Sequence, residues 1–142
     1  MFDLDRFIKA QNSVYSGYSV ALGEIENGEK VSHWIWYIFP QIKGLGRSDK
    51  CDLYGIVSLD EAKAYLQNDI LRERLIEISN ALLKNDKNIV SIVGGIDARK
   101  ICSSMTLFHL ADESIDVFQK VIDKFYGGVY DKATFRLLGI KD

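Results

Sequence analysis

The chain has 142 residues, 47% hydrophobic and 27% charged, with a formal net charge of −2. A chain of this size buries about 68–70% of the surface its unfolded form exposes, so it needs no disulfide or metal staple, and one domain is expected over residues 1–142. The mildly acidic balance excludes the clustered-cation attraction behind broad nucleic-acid binding, and the single proline argues against a disordered tail.

In chain order, Met1-Phe2-Asp3-Leu4-Asp5-Arg6 lacks the basic and apolar regions of a secretory leader. No run approaches the ~20 apolar residues that span a bilayer. No membrane association and a cytoplasmic location are therefore expected. Leu4, Phe7, Ile8, Gln11, Val14, Tyr15, Tyr18, Leu22 and Ile25 recur at three-and-four spacing. That spacing predicts an amphipathic helix to about Ile25, with Ser16-Gly17 its weak point and Glu26-Asn27-Gly28 closing it. The segment Trp34 to Phe39 is rich in strand-favouring residues but has no evident strand partner, so a short buried helix capped by Ser32 is predicted. Pro40 disfavours helical geometry for Phe39 and ends it there.

Ser58 followed by Glu61 forms a capping box that starts a helix at Leu59, running to about Leu66. Asn68-Asp69 caps the next, where Ile70, Leu71, Leu75, Ile78, Leu82 and Leu83 make a wide apolar stripe. Asn88 caps a short helix from Ile89 to Val93, ended by Gly94-Gly95. Asp97 begins another, from Ala98 to about Ala111. Ile115, Phe118, Val121, Ile122 and Phe125 make the last long helix, stopped by Gly127-Gly128, and a final short one runs from Asp131 through Leu138 to Gly139. No repeat or linker interrupts this pattern. The expected fold is all-α, a single compact multi-helix domain with one short aromatic buried segment.

The chemistry-bearing residues cluster in two places. The first is His33-Trp34-Ile35-Trp36-Tyr37 with the glycine-punctuated turn Gly44-Leu45-Gly46-Arg47-Ser48. A histidine and an arginine at the ends of an aromatic run suit the polar end of an apolar pocket. Glycines let backbone amides approach an anion, and Arg47 offers a bidentate grip on phosphate or carboxylate. The loop has neither the lysine nor the preceding strand of a Walker or Rossmann motif. The second cluster is Arg99-Lys100 with Ser103-Ser104-Met105-Thr106, three hydroxyls beside two cations on one helix. Each cluster also has a structural reading. Trp34, Trp36 and Phe39 are ordinary core, and buried hydroxyls bond carbonyls one turn earlier. Cys51 and Cys102 lack CxxC spacing and two histidines are too few for a metal cluster, so reduced structural thiols, no metal and no cofactor are expected.

Asp5-Arg6-Phe7, Ala10-Gln11, Ser32 to Gln41, Gly44 to Ser48, Ser58 to Ala62, Ser103 to Phe108 and Asp123 to Gly128, in that order, resemble the mainly bacterial DUF1810 family. The resemblance covers nearly the whole chain and implies an all-helical single domain with no established activity. Some members carry the label calpastatin, which sits badly with the apolar content of a packed core. No catalytic residues come with the resemblance.

Three functions remain open on these residues. One is a binding domain for a small anionic ligand, such as a nucleotide or sugar phosphate, using Trp34, Trp36, Tyr37, Arg47, Ser48, Lys100, Ser103 and Ser104. The second makes the same pocket catalytic, a hydrolase or transferase with His33 as general acid or base. The third is a protein-interaction module meeting an unidentified partner through an exposed aromatic patch.

Overall fold

The structure is a computed structural model describing residues 2–141, which form ten helices. The first predicted helix is two. α1 spans Asp5–Gln11 and α2 spans Tyr18–Glu26. Between them the chain doubles back so closely on Gly17 that a Cβ there would lie 2.1 Å from the Ser13 carbonyl oxygen and 2.5 Å from that of Gln11. Glycine is the residue this close approach admits. The aromatic segment forms α3, Ile35–Ile38, with Phe39 as its C-cap. Ser32 does not cap it; the N-cap position falls on Trp34 and has no side-chain bond.

α4, Asp49–Tyr54, was not predicted from the apolar pattern, and none of its residues is buried. It is set by Ser48, whose Oγ accepts the Cys51 amide at 3.2 Å, with Asp49 and Asp52 in the first turn favourably placed against the helix dipole. α5, Leu59–Gln67, starts where Ser58 accepts the Glu61 amide at 3.2 Å. α6, Asp69–Leu83, and α7, Ile89–Val93, begin at Asn68 and Asn88 as expected. α8 spans Gly95–Ala111, three residues ahead of the predicted start at Ala98, and its N-cap is Gly94 rather than Asp97. Asp97 lies in its first turn, ion-paired to Lys30 at 2.9 Å. α9, Val117–Tyr126, and α10, Lys132–Leu138, each end on a glycine in the left-handed conformation, Gly127 and Gly139.

α8 is the central element, packed on α5, α7, α9 and α10, while α6 lies against α2 and α9. Ile101, Met105, Leu107 and Phe108 of α8 are wholly buried, as are Tyr65, Phe118, Val121 and Ile122 from the helices around it. Tyr65 and Phe118 place their ring centroids 4.9 and 6.1 Å from that of Phe108. α3 packs on α1, α4 and α8. Its exit is pinned by a short parallel pairing, Ile56 N to Gln41 O at 2.9 Å and Lys43 N to Ile56 O at 2.8 Å, which holds the glycine-rich loop and α4 together. No described helix is long and apolar enough to cross a membrane.

Candidate functional site

The aromatic segment sends its side chains to different destinations. Trp34 is fully buried and its Nε1 donates to Glu24 Oε1 at 2.9 Å. The same carboxylate accepts the Val31 and Ser32 amides at 2.8 and 2.9 Å and the Ser32 hydroxyl at 2.6 Å. Burial pushes the Glu24 carboxyl upward, but these donors outweigh it and hold the group at about 2. Tyr37 is turned toward the α1–α2 connection, its hydroxyl donating to the Ser16 carbonyl at 2.7 Å, its own carbonyl accepting from Gln11 at 2.8 Å. His33 precedes α3 and is exposed. Its side chain makes no hydrogen bond or ion pair among the described residues.

Trp36 alone of the segment's large aromatics lies half-buried at the surface, and it walls a cavity of about 10 Å³ shared with Phe39, Gln41, Lys50, Cys51 and Lys100. Lys50 Nζ from α4 and Lys100 Nζ from α8 lie 4.7 and 5.2 Å from the centroid of its ring. Both being referred to one ring, the two ammonium groups lie within about 10 Å of each other, no more than the Debye length at 0.1 M salt, so salt screens their repulsion only in part. Neither has an anionic partner among the described residues. Trp36 Nε1 is itself buried and unpartnered. The ring face offsets part of the repulsion by cation–π attraction. It does not neutralise it.

Local sequence builds this arrangement. Ser48 starts α4 and so fixes where Lys50 stands. The loop before it packs tightly on α4: a Cβ on Gly46 would lie 2.2 Å from Cys51 Sγ, so glycine is required for the loop to rest on that sulfur. Arg47 in the same loop is exposed, with no ion pair among the described residues, and Ser48 is taken up by the cap.

The hydroxyls of α8 divide likewise. Ser103 Oγ lies 3.0 Å from Asp131 Oδ2 and 3.1 Å from the Arg99 carbonyl. Thr106 Oγ1 donates to the Cys102 carbonyl at 2.8 Å and accepts the Asp131 amide at 3.0 Å. Asp131 in turn caps α10 through the Thr134 amide and hydroxyl at 3.1 and 2.6 Å. Ser103 and Thr106 thus clasp α10 onto α8. Asp131→Ala is expected to cost about 1–2 kcal/mol and to speed amide exchange in α10 while sparing α6, which native-state hydrogen exchange would resolve. Ser104, one turn beyond Lys100, is wholly buried with its hydroxyl unpartnered.

Of the residues singled out in the sequence, the structure brings Trp36 and Lys100 together. It places Trp34, Tyr37 and Ser103 in internal hydrogen bonds, and leaves His33 and Arg47 at the surface. Lys50 and Gln41 were missed. The signal for Lys50 was available, since a serine followed by aspartates at the first and fourth positions reads as a capped helix start. Cys102, two residues on from Lys100, does not line this cavity, and burial, then the Asp131 charge, push its thiol to about 11.

These features define a class: an all-helical domain whose helical core carries, at one side, a tryptophan flanked by two uncompensated lysines. The chain belongs to the family described as a protein of unknown function, DUF1810, whose model matches residues 1–138. It is similar to the conserved hypothetical protein Rv1873 from Mycobacterium tuberculosis, with 42% identity over 99% of each chain and a TM-score of 0.93. No curated protein matches it.

Proposed function

We propose that the chain is a binding domain for a small anionic ligand of nucleotide or sugar-phosphate type, held where Lys50 and Lys100 flank Trp36. One observation carries this reading: two ammonium groups without counter-charge share an indole whose buried N–H is also unsatisfied. Buried donors are normally paired, and neighbouring like charges disfavour one another, so an anion relieves both deficits at once. Arg47 on the adjoining exposed loop adds a third cation for the distal part of a ligand. A general-base role for His33 lacks such support, because no partner among the described residues orients its ring.

A thermal-shift series with nucleotides and sugar phosphates tests the reading. Ligand at a hundredfold over its dissociation constant is expected to stabilise the fold by about 2.7 kcal/mol. Lys50→Met with Lys100→Met is expected to remove the shift, and each single change to weaken binding about tenfold. Melting curves unmoved by every anion, or a double variant that responds like the parent, would end it.

A further inference from the structure

We infer that the ligand is recognised by a terminal phosphate monoester, one oxygen of which seats in the cavity and accepts from Trp36 Nε1 while Lys50 and Lys100 balance the remaining charge, leaving sugar and base outside. This rests on the anion-binding reading above and narrows it. Size is the first argument. A cavity of about 10 Å³ holds one water-sized group. An oxygen fits and a ring does not.

Charge is the second. A phosphate monoester carries about −1.5 to −2 at neutral pH, matching two ammonium groups, whereas a diester carries about −1 and leaves one lysine uncompensated. Donor chemistry is the third. Indole nitrogen is a donor only, so the unpartnered Nε1 of Trp36 selects an acceptor atom and has no use for an amine or another N–H. The ring itself is already met by two ammonium groups, which leaves it poorly placed as a stacking surface for a nucleobase. In this mode Trp36 serves as a hydrogen-bond donor, and Gln41, which also lines the cavity, offers a second amide donor.

Titration calorimetry with inorganic phosphate, ribose 5-phosphate, adenosine 5′-monophosphate, adenosine and cyclic 3′,5′-adenosine monophosphate tests this on the intact chain. The first three are expected to bind within about tenfold of one another, and the last two at least a hundredfold more weakly. Trp36→Phe keeps the ring and removes the donor, and is expected to lose about tenfold for inorganic phosphate. Should that variant fold poorly, alkylation of the parent by iodoacetamide decides the location: inorganic phosphate is expected to slow labelling of Cys51, which lines the cavity, and to leave Cys102 unchanged. Adenosine or the cyclic diester binding as tightly as the monoesters, unaltered phosphate affinity in a folded Trp36→Phe, or unprotected Cys51 at saturating phosphate each overturns the end-on mode while leaving anion binding in place. If none of the phosphates binds and Cys51 is never protected, both readings fall together.

Discussion

Arg6→Met is expected to lower folding stability by about 3–5 kcal/mol, on the order of 10 °C in melting temperature for a domain of this length. Glu61 is 2% exposed and its Oε2 lies 2.9 Å from Arg6 Nη1. The guanidinium also donates to the carbonyls of Leu53 at 2.8 Å and Gly55 at 3.1 Å, and it covers the Phe7 ring at 4.3 Å. Methionine keeps the apolar stem and removes every donor, leaving a buried carboxylate without its cation and the carbonyls of Asp3, Leu53 and Gly55 without this partner. Arg6→Lys is expected to recover less than half of the loss, because one ammonium cannot reach acceptors spread around a planar fork. In a double-mutant cycle, Glu61→Gln on top of Arg6→Met is expected to cost much less than it does alone, since the stranded charge is gone. Urea denaturation measures all of these. A loss under 1 kcal/mol for Arg6→Met would show that water replaces the guanidinium.

Glu24→Ala is expected to cost about 3 kcal/mol, and Glu24→Gln about half as much. Alanine leaves the Trp34 Nε1 donor buried with nothing to accept it, together with two backbone amides and the Ser32 hydroxyl. Glutamine places its carbonyl where Oε1 accepts three bonds and its amide where the serine hydroxyl turns to accept. The two variants separate further in acid. Glu24 titrates near 2 in the folded protein against an ordinary value of 4.5. A depressed carboxyl stabilises the fold fully above 4.5, and this part of the stability drains away as pH falls from there toward 2. Stability of the parent is therefore expected to drop across that window more steeply than stability of Glu24→Gln, which has no proton to take up at this position. Parallel acid limbs in the two proteins would show that the carboxylate is not held in its charged form.

What the sequence made legible is what depends on neighbours a turn away. Ser58, Asn68, Asn88 and Asp131 start helices because each side chain reaches an amide three residues on, and such an interaction is written in the local order of residues. Apolar stripes on α6, α8 and α9 are legible for the same reason. The break between α1 and α2 was seen only as a weak point, because the cause is a backbone crossing at Gly17 that spacing does not encode. α4 escaped notice because its residues stay at the surface and leave no stripe. The site suffered accordingly. Trp36 and Lys100 were singled out, but Trp34 and Tyr37 could not be told from Trp36, since their partners, Glu24 and Ser16, lie 10 and 21 residues away. Glu24 itself gave no sign: an acid on an amphipathic helix ordinarily faces water.

The span between Arg6 and its acceptors has a consequence during biosynthesis. Its partner Glu61 follows it by 55 residues, and the carbonyls of Leu53 and Gly55 by 47 and 49. The Asp3 carbonyl, which the guanidinium also meets, is already made, but at translation speeds of about 5–20 residues per second α1 emerges roughly 3–10 s before these distant acceptors exist. The earliest-made helix can thus meet α3 first, through Gln11 and the Tyr37 carbonyl, while its cation waits for its carboxylate until nearly half of the chain has been assembled.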